Sequence, residues 1–148
     1  LIKALIAAGL MLPQKGSLLL SIADRDKAEF LSIIKKLYLF NYILYATEGT
    51  ANMIESAGLP VKIVTKKLSE GHPNIIDVIQ YGFIDGVVNT VTGGRIPLKD
   101  GFEIRRAAAE KRLPCFTSLD TFRVAVEALT SGSQIYNVKP IREYLKSR

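Results

Sequence analysis

The chain has 148 residues, one cysteine, one histidine and a net charge of +6 at pH 7. One domain is expected at this length, and roughly 70% of the unfolded surface can be buried without disulfides or metals. The cysteine and histidine counts exclude a disulfide framework and a metal site built from clustered Cys or His. The charge favours anionic partners, but nucleic acid is not expected because the basic residues are scattered without interleaved aromatics.

No apolar run approaches the roughly 20 residues that a membrane span requires. With the lone cysteine, this predicts a soluble protein of the reducing cytoplasm. Residues 1–15 are expected to be a helix end and linker from a preceding region, because they start on Leu and lack an N-cap. Residues 16–131 are the predicted domain, and residues 132–148 form a basic tail.

Short apolar runs alternate with helical patterns along the domain. Strands are predicted at residues 17–22, 42–45, 61–64, 86–89 and 115–117. The intervening helices are predicted from Asp24, as N-cap, to near Phe40, and then at residues 49–57, 74–81, 101–111 and 119–129. Five strands joined by helices predict an α/β fold, with a parallel sheet covered by helices on both faces and right-handed crossovers.

Polar residues follow every predicted strand. They include Lys27 close behind the first strand, and residues 47–50, 65–67, 89–95 and 117–118 behind the others. Ligands of such sheets bind beyond the carboxyl ends of the strands, where the strand order reverses. Hydroxyls, amides, glycines and cations with few carboxylates suit a phosphate or a phosphorylated small molecule. Of the two lysines behind the third strand, Lys66 is the one favoured to reach an anion.

The turn from the second strand into its helix carries Thr47, Gly49 and Thr50. One interpretation is a phosphate cradle, because a helix start has unpaired N–H groups and partial positive charge, and glycine allows close approach. The other is an ordinary turn, with Thr47 as the N-cap and Thr50 bonded to the local backbone. These residues alone leave both interpretations open.

Three other candidates favour structural explanations. His72 lies between carboxylates, but Asn74 is a credible helix N-cap there and no nucleophile is evident nearby. Cys115 follows Pro114 in an apolar strand and is expected to be a buried, inert thiol. Arg105 and Arg106 of the 101–111 helix point in different directions, so at most one can face a given ligand, and either can be solvated or bonded to the acidic residues before them.

Five segments, in this order and spacing, resemble the C-terminal allosteric domain of carbamoyl phosphate synthetase large chains, a methylglyoxal-synthase-like domain. The segments are residues 20–27, 46–51, 70–73, 88–90 and 104–108, and the likeness runs from about Gly16 to Leu129. The resemblance implies a three-layer Rossmann-like fold that binds regulatory nucleotides, UMP or in some members IMP, and has no catalytic site or metal of its own. It also implies an attached synthetase core that uses ATP and Mg²⁺, a glutaminase small subunit, and carbamoyl phosphate synthesis for pyrimidines and arginine.

The resemblance also implies site residues. The effector phosphate would be held by Lys27, Thr47, Gly49, Thr50, Lys66, Asn89, Thr92 and Arg95. Val91 stands where the family often has a second hydroxyl. Cys115 replaces a tyrosine that helps some bacterial members bind ornithine, which leaves Thr117 as the candidate contact on the ornithine side.

Three further functions are weighed on sequence grounds: a lyase, a phosphate-binding protein and a basic interaction module. A stand-alone lyase of the methylglyoxal synthase type would need an Asp in a Gly-Asp-Gln-Gln stretch, whereas this chain has Gly71-His72-Pro73-Asn74. The basic interaction module would use residues 139–148. Whether the domain associates with itself is also open.

Overall fold

The structure is a computed structural model, and it describes residues 2–65, 71, 73–90 and 99–131. The helices in these ranges are α1 (Ile2–Ala7), α2 (Lys27–Leu39), α3 (Glu48–Ser56), α4 (Ile75–Gln80), α5 (Lys99–Glu110) and α6 (Leu119–Thr130). The strands are β1 (Ser17–Ser21), β2 (Ile43–Thr47), β3 (Lys62–Val64), β4 (Gly86–Asn89) and β5 (Cys115–Phe116). None of these helices is both long and apolar enough to cross a bilayer.

The strands form one parallel sheet in the order β3-β2-β1-β4-β5. The predicted five-stranded parallel sheet is therefore confirmed. β1 lies at its centre, with Ser17 paired to Ile43 of β2 and Ser21 paired to Asn89 of β4. The chain leaves β1 toward β2 on one side and later returns to β4 on the other, so the strand order reverses at β1.

Two apolar clusters cover the two faces of the sheet. Leu18 and Leu20 point into the cluster made with α2, α3 and α6, whereas Leu19 points into the cluster made with α4 and α5. This alternation follows from the two-residue period of a strand. It explains why β1 is an unbroken apolar run, because each of its faces is covered by helices.

The connection from β1 to α2 differs from the prediction. Asp24 does not cap α2. Residues Asp24–Asp26 instead form a single 3-10 turn, in which the Asp26 N–H donates to the Ala23 carbonyl at 2.9 Å. The Asp24 carboxylate pairs with the ammonium of Lys27, the first residue of α2. By contrast, the predicted N-cap of α4 is confirmed, since Asn74 and Asp77 form a reciprocal capping box.

The N-terminal segment packs onto the domain. Leu5 and Leu12 are buried in the cluster on the α2 side, and the Tyr42 hydroxyl donates to the Pro13 carbonyl. The Ser17 N–H donates to Asp85 Oδ2 at 2.8 Å, which fixes the start of β1 beside the start of β4. The segment that enters the sheet is thus anchored to the sheet edge opposite the strand carboxyl ends.

Tyr42 makes the stability of the fold depend on pH in the alkaline range. Burial and the nearby Asp85 carboxylate raise the pKa of Tyr42 to about 12. The phenol ionises more readily in the unfolded chain, so its contribution to stability is present below about pH 10 and is lost as the pH rises toward 12. Urea unfolding of the wild type and Tyr42→Phe between pH 9 and 12, a range set by the two pKa values, should show a shallower alkaline fall for the variant. Equal slopes would contradict this assignment.

Phe122 packs at the centre of a buried aromatic cluster. Its fully buried ring lies 5.6 Å from that of Phe30 and 5.2 Å from that of Phe116, joining α6 to α2 and β5. Phe122→Ala should lower the free energy of unfolding by about 3–5 kcal/mol, because a buried cavity is left. The matched control is Phe102→Ala, since Phe102 is 57% exposed; a change in urea unfolding within about 0.5 kcal/mol is expected for it.

Candidate functional site

Two threonine hydroxyls close the carboxyl end of β1. The Ile22 N–H donates to Thr50 Oγ1 at 3.0 Å, and the Ala23 N–H donates to Thr90 Oγ1 at 2.8 Å. Thr50 lies in the first turn of α3 and Thr90 directly follows β4, so they approach β1 from its two sides. Both hydroxyls are buried, and they hold three strand ends together where the strand order reverses.

A cavity of about 580 Å³ opens at this edge of the sheet. It lies over the ends of β1, β2 and β3 and the first turns of α2 and α3. Its lining consists of Ser21, Ile22, Ala23, Asp24, Lys27, Thr47, Glu48, Gly49, Thr50, Asn52, Ile63, Val64 and Thr65. Four of the residues predicted from the sequence, Lys27, Thr47, Gly49 and Thr50, are thus brought together.

Lys27 brings its ammonium to the start of α3. A methyl carbon built on Gly49 would lie only 3.3 Å from Lys27 Nζ, so glycine leaves room for the ammonium against the backbone. α3 has nine residues, and its first N–H groups carry the partial positive charge of a helix start. A lysine cation and a helix N-terminus at one place form an arrangement that can hold an anion.

The turn into α3 is more than a local cap. Thr47 occupies the N-cap position with an extended backbone, but its side chain makes no capping bond. Its hydroxyl lies 3.4 Å from Thr50 Oγ1, and Thr50 bonds to the backbone of Ile22, 28 residues away. Of the two interpretations of this turn, the one in which Thr50 bonds to the local backbone is therefore wrong. The hydroxyl pair joins α3 to β1 and lines the cavity.

Asn89 is placed differently. Its side chain is buried at the end of β4, and Asn89 Oδ1 accepts a bond from Arg105 Nη1 at 2.8 Å. A methyl carbon on Gly101 would lie 3.0 Å from Arg105 Nη1, so this glycine makes room for the guanidinium. Asn89 is not among the described residues that line the cavity. Sequence reasoning missed Arg105 as its partner, having weighed a ligand, solvent or nearby acids for that side chain.

The remaining predicted residues divide into two groups. Lys66, Thr92 and Arg95 lie outside the described residues, as does His72. Thr117 directly follows β5 and is exposed. Two residues that the sequence placed behind the strands without a specific role are also part of this edge: Thr65, which lines the cavity and donates to the Gly71 carbonyl at 3.0 Å, and Thr90. Both directly follow strands, which was the available signal.

Among the described residues that line the cavity, the charged side chains are Asp24, Lys27 and Glu48. Asp24 Oδ1 lies 2.6 Å from Lys27 Nζ, and this contact lowers the pKa of Asp24. Glu48 also lines the cavity and is exposed. Burial raises the pKa of the Cys115 thiol, with the Arg105 guanidinium opposing the rise, so the thiol stays protonated and unreactive near neutral pH. Within the described ranges, no group of three or more acidic, His or Cys side chains could hold a metal ion.

Comparison with known proteins identifies the family. The family model of the MGS-like domain matches residues 29–117. The chain belongs to the MGS-like domain family. The match begins in α2 and ends just beyond β5, so it includes the turn into α3 and the ends of β2 to β5, whereas β1 and Lys27 precede it.

A named relative extends the likeness to nearly the whole chain. Over 144 residues, or 97% of its length, this MGS-like domain is 40% identical to the carbamoyl phosphate synthase large chain of Thermomicrobium roseum. The aligned part is 13% of that relative. The chain therefore spans only a small part of the length of that relative.

The hydrogen bond from the Ile22 N–H to the Thr50 hydroxyl can be tested by substitution. Thr50→Val keeps the side-chain shape but removes the acceptor of the buried Ile22 N–H, which should lower the free energy of unfolding by about 1–3 kcal/mol. Thr50→Ser keeps the hydroxyl and serves as the control. Urea unfolding of both variants should show the larger loss for valine, and an equal or larger loss for serine would contradict the role of this bond.

Proposed function

We propose that this MGS-like domain is the regulatory domain of a carbamoyl phosphate synthetase large chain and binds a nucleotide effector, UMP or IMP, by its phosphate. The relation to the Thermomicrobium roseum large chain supports this assignment. In the proposal, the effector controls an ATP- and Mg²⁺-dependent synthetase core of the same cytoplasmic chain, which works with a glutaminase small subunit and supplies pyrimidine and arginine synthesis.

The observation that carries the proposal is the position of Lys27 Nζ against Gly49 at the start of α3. A phosphate placed there would meet an ammonium, a helix N-terminus and the hydroxyl of Thr47. Charge-assisted hydrogen bonds of this type are about twice as strong as neutral ones. From its position behind the third strand, Lys66 is proposed as a second cation that contacts the phosphate.

The size of the cavity supports a ligand larger than phosphate. About 580 Å³ falls within the roughly 300–1,000 Å³ typical of small-molecule sites. Away from Lys27, its lining includes the half-exposed Ile63 and the carboxamide of Asn52. An apolar surface and an amide next to an anion site are suited to the ring and hydroxyl groups of a nucleotide.

Regulation requires that the nucleotide bind the active and inactive states of the synthetase with different affinity. The N-terminal segment offers a route for this coupling, because Leu5 and Leu12 are part of the domain core and Pro13 is bonded to Tyr42. We propose that the segment connects the domain rigidly to the preceding core, so that a shift at the site is transmitted through it.

A lyase function is disfavoured by the segment before α4. The catalytic carboxylate expected of methylglyoxal synthase is missing from residues 71–74, and the nearby Asp77 carboxylate accepts the Asn74 N–H at 2.9 Å as part of the capping box. Its occupation in a helix cap leaves it poorly suited to move a proton.

The proposal is tested by titrating the 148-residue chain with UMP, IMP, ornithine and inorganic phosphate while following thermal stability and heat of binding. UMP or IMP should raise the melting temperature, since a ligand that binds only the folded state stabilises it. Lys27→Ala should abolish the shift, as should Lys66→Ala. Lys36→Ala is the matched control, because Lys36 is an exposed lysine of the same helix and its loss changes the net charge equally.

Two outcomes would contradict the proposal. One is the absence of any shift with millimolar UMP or IMP, and the other is an equal loss of binding in Lys36→Ala and Lys27→Ala. Turnover of dihydroxyacetone phosphate to methylglyoxal, measured in the same preparations, would favour the lyase instead.

A further inference from the structure

The cation of the proposed phosphate site already has an anionic partner. Asp24 Oδ1 lies 2.6 Å from Lys27 Nζ, and the two side chains are 91% and 23% exposed. Lys27 is thus held at the cavity wall, whereas the Asp24 carboxylate is almost entirely in solvent. The pairing lowers the pKa of Asp24, so this carboxylate is ionised throughout the neutral range.

The ammonium also lies close to the start of α3. Gly49 leaves its Cα side open to Lys27 Nζ, so the same cation is near the α3 backbone and in contact with the Asp24 carboxylate. A phosphate that reaches both the cation and the helix start must approach the same ammonium that Asp24 contacts. Two anions at that distance repel each other, and Glu48, exposed on the cavity wall, adds to the negative charge.

We infer that Asp24 competes with the ligand phosphate for Lys27. The Asp24 carboxylate is displaced or repelled when the ligand binds, and it thereby keeps the nucleotide affinity low. This inference rests on the proposed function. An exposed ion pair between residues three apart is weak, so opening it is a small barrier to the ligand. The pair therefore weakens binding without preventing it.

If Asp24 instead positioned Lys27, removing its carboxylate would change the phosphate affinity in the opposite direction. If the carboxylate served to position Lys27, its removal would loosen the lysine and weaken phosphate binding. If it competes, its removal frees the ammonium and lowers the negative charge at the cavity, and phosphate binding becomes tighter.

The experiment measures calorimetric affinities of the 148-residue chain for UMP and inorganic phosphate. Asp24→Asn should tighten both by about fivefold, the upper range for an exposed ion pair. Asp24→Ala should also tighten both affinities. Because alanine has no amide, this result would attribute the gain to the release of Lys27 and not to a new hydrogen bond made by asparagine. The difference between variant and wild type should shrink as salt is raised, because exposed charges are screened.

The matched control is Asp120→Asn. Asp120 is 89% exposed and pairs with Arg123, three residues later, on α6. The substitution makes the same change in net charge away from the cavity, so it should leave both affinities unchanged. An equal gain in Asp120→Asn and Asp24→Asn would overturn the inference in favour of a general charge effect.

Weaker or unchanged binding in the two Asp24 variants, with UMP still bound by the wild type, would overturn the competitor role and leave the proposed function standing. Failure of UMP, IMP and phosphate to bind the wild type and every variant would overturn the proposed function, and the competitor role with it. The two failures are therefore distinguishable in one set of titrations.

Discussion

The arrangement of the site depends on how the backbone of β1 ends. The N–H groups of Ile22 and Ala23 donate to the hydroxyls of Thr50 and Thr90, which belong to the connections after β2 and β4. A buried N–H without a partner would cost about 1–3 kcal/mol, so these two bonds strongly favour one mutual placement of the strand ends. The start of α3 is consequently held beside β1, and the 3-10 turn after Ala23 places Lys27 next to Gly49.

This construction separates the rigid and the adjustable parts of the site. Thr50 is buried and bonded to a neighbouring strand end, whereas Asp24 lies in solvent and is held by one exposed ion pair. Anion binding at a helix start needs little backbone movement, because the N–H groups already point outward. Adjustment then falls to the exposed side chains, where small differences in charge set the affinity.

Much of the fold follows from patterns in the sequence. The apolar run of β1, the glycines that end α3 and α4, and the alternation of strand and helix are local signals, and β4 spans the predicted residues. The errors concern side-chain interactions, which residue type alone does not decide. Asp24 suits an N-cap by its type, but its carboxylate pairs with Lys27 instead. Residues Asp24–Asp26 form a 3-10 turn, so α2 begins at Lys27 rather than directly after Asp24.

The site was predicted in the same uneven way. Lys27, Thr47, Gly49 and Thr50 were expected at a common edge because they follow neighbouring parallel strands, and the structure brings them to one cavity. The partner of Asn89 could not be deduced, because Arg105 lies 16 residues away and reaches it only through the space left by Gly101. Periodicity and residue type carry no information about such tertiary contacts.

Membership of the MGS-like family and 40% identity to a carbamoyl phosphate synthase large chain give this edge of the sheet its biological context. We propose that a nucleotide phosphate binds between Lys27 and the start of α3. The most direct measurement is a crystal structure of the chain grown with UMP. We predict phosphate density against Lys27 Nζ and the Gly49 backbone, with Asp24 turned away. Phosphate bound elsewhere, for example on Arg105, with the Asp24 to Lys27 pair intact, would contradict the account.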